Sequence, residues 1–150
     1  MEPDEQLTVT RTVILDASAD EVWRLLTDDA ELSRWFGSAA SLDAVPGGVG
    51  TFVDGSIVRR AVVQRVDPGR RVGFTWWDER HPAEASTVEL VVEDTSSDGR
   101  VQLTVTETVV PSGGAVGLRA CSWIDVADAW DERLGIIADR LTMRSSPLAR

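Results

Sequence analysis

The side chains that carry most enzyme chemistry are scarce in this sequence. His81 is the single histidine, and it precedes Pro82 in an expected loop, so no second histidine can complete a metal site or activate a serine. Cys121 is the single cysteine, which excludes an internal disulfide and a thiolate cluster. No Gly-x-Ser-x-Gly elbow occurs, and the glycines of 47–50 lack the Lys-Ser/Thr pair of a phosphate loop. The sequence therefore gives little support to catalysis and predicts no metal and no cofactor.

The aromatic residues indicate a different chemistry, the recognition of an apolar molecule. The chain has six tryptophans, three phenylalanines and no tyrosine. Phe74 and Trp76 lie two apart and so share one strand face, where Trp130 from a later helix could meet them. An indole joins an apolar body to an N–H donor, so it can pack against a ligand and orient a polar group. Ligand lining and ordinary core packing both stay open for the candidate residues, which are Trp35, Phe36, Phe52, Phe74, Trp76, Trp130 and Leu134.

Arg11 is the sharpest polar candidate for the same ligand site. It shares a strand face with Val9 and Val13, and a buried guanidinium must be paired. Glu107, near the end of the last strand, is a possible partner. Alternatively, an edge or bent strand exposes Arg11, and both interpretations remain open.

The charge balance argues against polyanionic partners. Acidic residues outnumber basic ones 25 to 15, the net charge is -10, and every basic side chain apart from His81 is an arginine. Nucleic acid and anionic membrane surfaces are therefore not expected as partners. The first residues are acidic where a signal peptide would be basic, and no apolar run approaches the ~20 residues of a spanning helix. We expect a cytoplasmic protein.

The pattern of elements predicts one α+β domain. Alternation over 7–15 indicates a strand, and Ser18 with Glu21 forms a capping box that begins a helix. A second short helix passes through Trp35 and Phe36 and ends at Gly37. Short strands separated by turn residues then predict an antiparallel meander over residues 41–45, 50–53, 57–66, 71–77, 87–93 and 101–105.

The longest helical signal follows at the C-terminal end, over about 123–141. Apolar residues recur there at spacings of three and four, namely Trp123, Val126, Ala127, Trp130, Leu134, Ile137, Ala138 and Leu141. Such a stripe can cover the apolar face of a sheet. We therefore expect a curved antiparallel sheet around this helix, with the two short helices closing one end and Trp35 and Phe36 at the mouth of the cavity.

Several of these segments resemble one known family in the same order. They are Ser18–Trp23 with Leu26–Asp28, Leu32 with Trp35–Gly37, the Gly47–Gly48 turn, Val66–Pro68 with Arg71–Val72, Phe74–Trp76, and Trp123 before the last helix. Together they resemble the activator-of-Hsp90-ATPase-like branch of the START/Bet v 1 (SRPBCC) superfamily, over about 7–142. The resemblance implies a helix-grip fold and usually a hydrophobic ligand cavity.

Three functions follow as hypotheses. We favour non-catalytic binding of a small hydrophobic or aromatic molecule, which predicts an enclosed pocket of roughly 300–1,000 Å³. A chaperone-activator-type interaction module predicts instead a filled interior and an exposed apolar patch. A polyketide cyclase-like or hydrolase-like enzyme would need titratable groups facing the cavity. A homodimer or another protein partner also remains open.

Overall fold

A computed structural model describes residues 7–36, 39–82, 84–95, 99–109 and 116–145 of the chain. These residues form seven strands and three helices. In chain order they are β1 (Leu7–Leu15), α1 (Ala19–Thr27), α2 (Asp29–Phe36), β2 (Ala39–Leu42), β3 (Val49–Asp54), β4 (Ile57–Asp67), β5 (Arg71–Asp78), β6 (Ser86–Asp94), β7 (Val101–Val109) and α3 (Val116–Ser145). The predicted helix stop at Gly37 lies outside the described residues, as do the side chains of Cys121 and Trp123.

The seven strands form one antiparallel sheet in the order β1-β7-β6-β5-β4-β3-β2. The chain runs as a meander from β2 to β7, and β1 then pairs with β7 over the full length of both strands. The predicted sheet is confirmed, and β1 and β2 are its edges. The second strand covers Ala39–Leu42 instead of 41–45. It ends earlier than predicted because Val45 lies in a turn closed by the bond from the Gly48 N–H to the Val45 carbonyl.

The predicted capping box begins α1. The Glu21 N–H donates to Ser18 Oγ at 3.2 Å, and the Ser18 N–H donates to Glu21 Oε1 at 3.1 Å. The next helix has a similar start, since the Glu31 N–H donates to Asp28 Oδ2 at 3.1 Å. These side chains satisfy amides that have no partner within the helix, which fixes where both helices begin.

The core lies between the concave face of the sheet and the helices. Inward positions of β7 such as Leu103 and Val105 are fully buried, and their outward neighbours are partly exposed. Helix α3 buries its stripe against this face, including Trp130, Leu134 and Ile137. The helix-grip arrangement predicted from the element order is confirmed. Among the described residues, no helix combines the length and the apolar character needed to cross a bilayer.

Candidate functional site

Six of the predicted ligand residues meet in one aromatic group, here called the ring cluster: Trp35, Phe36, Phe52, Phe74, Trp76 and Trp130. Phe52 lies at its centre, with ring centroids 4.9 Å from Phe36, 5.5 Å from Phe74 and 5.2 Å from Trp76. All six side chains are buried. The sequence pattern therefore identified residues that do come together in space.

The ring cluster leaves almost no free volume. The void among its rings measures about 10 Å³, which is at the lower limit for one water molecule. Leu134 is also buried in the core but does not line this void. The enclosed cavity expected between sheet and helix is closed here by its own side chains, so ligand lining by these residues stays a prediction.

Arg11 lies outside the ring cluster, on the edge strand. Its side chain is 39% exposed, and its Nε donates to Asp131 Oδ1 of α3 at 2.8 Å. The interpretation that an edge strand exposes Arg11 is confirmed. Glu107 as its partner is wrong, because the Glu107 carboxylate is already bonded to other donors.

Glu107 is a buried carboxylate that connects four elements. It lies on the inward face of β7 and is 6% exposed. Oε1 accepts from Trp130 Nε1 of α3 at 2.8 Å, and Oε2 accepts from Trp76 Nε1 of β5 at 2.9 Å. The Ser86 hydroxyl of β6 donates to the same Oε2. Both carboxylate oxygens therefore have hydrogen-bond donors, as burial of a charge requires.

Two guanidinium groups lie against the indole rings around Glu107. The Cζ atom of Arg59 is 4.8 Å from the Trp76 ring centroid, and that of Arg133 is 4.9 Å from the Trp130 centroid. Such cation–π contacts are attractive. Burial, with the nearby charge of Arg59, lowers the pKa of Arg133 to about 10, against the opposing effect of Asp54 and Glu107. Arg133 therefore remains a cation at neutral pH.

A pocket of about 200 Å³ opens to solvent beside Glu107; we call it the end pocket. It lies where the ends of β4, β5, β6 and β7 approach α3. Its lining residues are Arg59, Trp76, Trp77, Asp78, His81, Glu84, Ser86, Glu107, Val109 and Val126. Indole and valine surface thus combines with polar groups, an arrangement typical of small-molecule sites.

Asp78 and His81 also line the end pocket. The Arg80 N–H donates to Asp78 Oδ1 at 2.9 Å. This bond, followed by the positive charges of Arg80, His81 and Arg59, lowers the pKa of Asp78 from 3.8 against the opposing effect of partial burial. His81 is exposed, as predicted for a loop residue, but it also borders the pocket. In the described part of the chain, no group of three or more His, Cys, Asp or Glu side chains is placed to hold a metal ion.

Most residues of the end pocket were missed from sequence, although a signal existed for two. Arg59 shares the strand face of Ala61 and Val63, and Glu107 shares that of Val105, so each is a charge on an apolar face. This is the signal that singled out Arg11. Alternation alone could not tell which charged residue lies in the interior and which lies at an edge, because that depends on the strand order.

A curved seven-stranded antiparallel sheet around a long C-terminal helix, with a pocket at one end, defines a helix-grip protein. The sequence model of the family described as "Activator of Hsp90 ATPase homolog 1-like protein" matches residues 16–141. The chain belongs to that family, and the resemblance found in the sequence is confirmed. No curated protein sequence matches the chain.

Solved structures share the fold at low sequence identity. DynU16, a protein of the dynemicin biosynthetic locus, is 22% identical with a TM-score of 0.70 over 89% of this chain and 46% of its own. This chain therefore spans less than half the length of DynU16. The Aha1 dimer from Colwellia psychrerythraea is 15% identical with a TM-score of 0.71, over 90% of this chain and 96% of that one. PFC0360w, an HSP90 activator from Plasmodium falciparum, is 19% identical with a TM-score of 0.60, over 78% of this chain and 87% of that one.

Proposed function

We propose that this chain binds a small molecule with an apolar, aromatic body in the end pocket, without converting it chemically. The observation that carries the proposal is the meeting of Trp76, Trp77, Val109 and Val126 around an open volume of about 200 Å³. That volume is below the roughly 300–1,000 Å³ of drug-sized sites. It suits a ligand of one or two rings.

The hydrogen bonding of the pocket supports binding rather than catalysis. Glu107 accepts from two indoles and a hydroxyl, and Asp78 accepts from the Arg80 backbone. These carboxylate oxygens therefore already accept hydrogen bonds from groups of the protein itself. The ring cluster contributes by fixing Trp76 from behind, because Trp76 belongs to both the cluster and the pocket wall.

The indole N–H signals of the ¹⁵N-labelled protein test this proposal. One- and two-ring aromatic compounds should shift the signals of Trp76 and Trp77 saturably. The Trp35 signal serves as an internal reference, because its Nε1 donates to the Leu25 carbonyl at 2.7 Å inside the helical layer. Compounds that move none of the pocket signals would refute the proposal.

A matched pair of substitutions locates the binding. Val126→Phe places a ring in the pocket and should abolish the shifts. Val62→Phe makes the same change at an exposed position outside the pocket lining and should leave them intact. Equal binding by both variants would show that ligands bind elsewhere.

A second candidate function is a protein-interaction role of the chaperone-activator type. The observation that favours it is an exposed apolar patch formed by Val49 and Val62, which pair directly across β3 and β4. The filled ring cluster and the activity named for PFC0360w also support it. On this hypothesis the protein should stimulate the ATPase of an Hsp90 from the same host. Val49→Asp should lose this stimulation, and Ile14→Asp should keep it. Ile14 is an apolar, exposed control on the edge strand β1, away from β3 and β4 in the sheet order.

A further inference from the structure

Trp76 lies between the end pocket and the interior of the ring cluster. Among the residues that the structure describes, it is the one that borders both the pocket of about 200 Å³ and the void of about 10 Å³. Arg59, Ser86 and Glu107 contact its indole and also line the pocket. The indole therefore forms the inner wall of the pocket and separates it from the interior of the domain.

The space behind this inner wall is occupied by apolar rings. The Trp76 ring centroid lies 5.8 Å from that of Phe36, 5.2 Å from Phe52, 5.6 Å from Phe74 and 6.1 Å from Trp130. None of these four residues lines the end pocket. Space opened at position 76 would therefore join the pocket to an apolar interior, where a further ring of a ligand is favourably buried.

The indole is held in one orientation by contacts at its edge and its face. Nε1 donates to Glu107 Oε2 at 2.9 Å and also lies 3.2 Å from Ser86 Oγ. The Cζ atom of Arg59 lies 4.8 Å from the ring centroid. Rotation of the side chain would break the buried hydrogen bonds and leave the N–H without an acceptor, which is costly. The inner wall is therefore fixed and does not swing aside to admit a ligand.

We infer that Trp76 determines the size specificity of the end pocket, because it sets the depth of the pocket and so the largest ring system that a ligand can bury there. This inference rests on the proposed function, since it concerns ligands of the same pocket. A ring that the inner wall keeps in solvent adds little affinity, because the gain grows with the apolar surface removed from water. A shorter side chain at position 76 deepens the pocket towards Phe52 and Phe74.

Quinoline and acridine, with two and three fused rings, test the inference. Both are uncharged at mildly alkaline pH and each has one ring nitrogen, so the ratio of their dissociation constants reports the burial of the third ring. The Trp77 indole signal of ¹⁵N-labelled protein, present in every variant, follows the titrations. In the parent protein acridine should bind less than about threefold more tightly than quinoline.

Two inward rings of the same strand provide matched variants. Trp76→Leu removes the inner wall, while the Glu107 carboxylate keeps Trp130 and Ser86 as donors. This variant should prefer acridine by at least about tenfold. Phe74→Leu also shortens a buried ring, but behind the intact wall and outside the pocket lining, so it should keep the parent ratio.

The outcomes separate this inference from the proposed function. A parent ratio in Trp76→Leu, or an equal rise in Phe74→Leu, would overturn the inference and leave the proposed function standing. A preference of about tenfold in the parent protein would also overturn it, because the wall would then not limit the ligand. Where Trp76→Leu fails to fold, Trp76→Phe, which retains one ring, should raise the ratio above that of the parent, and an unchanged ratio again overturns the inference. If neither compound shifts the Trp77 signal in any variant, both fall.

Discussion

Trp130 and Glu107 join the terminal helix to the last strand through a buried hydrogen bond, with 2.8 Å between Nε1 and Oε1. The same carboxylate accepts from Trp76 and Ser86, so the side chain of one residue fixes α3 against three strands. This connection also positions the wall of the end pocket, because Trp76, Ser86 and Glu107 all line it.

Glu107→Gln should therefore destabilise the domain by about 1–3 kcal/mol. The amide has one oxygen, and its NH₂ group would face one of the donors that the carboxylate accepts from, which leaves a buried donor unsatisfied. Urea denaturation of both proteins measures the difference. Glu89→Gln is the control: Glu89 lies on the outward face of β6 and pairs with Arg71 at 3.5 Å, so its loss should cost less than about 1 kcal/mol. Equal losses would contradict the role of Glu107.

Phe74→Ala should lower the free energy of unfolding by about 3–5 kcal/mol. Its ring packs 5.5 Å from Phe52 and 5.6 Å from Trp76, and the void nearby is only about 10 Å³. Binding in the end pocket should persist, because Phe74 does not line it. Thr75→Ala, at the neighbouring outward position, should cost much less. A loss below about 1 kcal/mol for Phe74→Ala would indicate a loosely packed ring cluster instead.

Leu134→Asp should unfold the domain. Leu134 is 5% exposed and lies among the buried apolar residues of the core, so an aspartate there would be a buried charge. Far-ultraviolet circular dichroism and thermal melting report the outcome. A folded variant with unchanged melting would show that α3 does not pack as described.

Gly135→Ala, at the next position of the same helix, should stabilise the protein by about 0.5–1 kcal/mol. Gly135 is exposed in the middle of α3, and a Cβ atom added there meets nothing within 4 Å. Alanine reduces the entropy lost on helix formation. Thermal unfolding of the variant and the parent protein, compared side by side, measures the gain in stability. A lower melting temperature for the variant would contradict the prediction.

The Asp78 carboxyl should titrate below 3.8. Its bond from the Arg80 N–H and the surrounding positive charges lower the pKa in the folded state. Because the folded pKa is below the unfolded one, Asp78 contributes stability above pH 3.8, and that contribution is lost as pH falls through the folded pKa. Carbon-detected NMR titration gives the value. Arg80→Ala removes a positive charge but keeps the backbone donor, so the pKa of Asp78 should rise only part of the way to 3.8. A pKa of 3.8 or more for Asp78 in the parent protein would refute the prediction.

The sequence by itself determined the elements and their order. Alternation and turn residues located the strands, and Ser18 with Glu21 marked the start of α1, because these signals depend on residues a few positions apart. The same patterns selected the aromatic residues of the ring cluster. Periodicity of two identifies the face on which a side chain lies, and that information is local.

Only the tertiary structure decided what the inward faces enclose. Arg11 and Arg59 give the same signal in sequence, but β1 is an edge strand and β4 lies within the sheet, so the first pairs with Asp131 at the surface and the second lines a pocket. The ring cluster likewise leaves about 10 Å³ rather than a ligand cavity. The free volume is the small difference between the volume that the sheet and helices enclose and the volume of the side chains that fill it. It depends on contacts between residues far apart in the chain, to which local periodicity is insensitive.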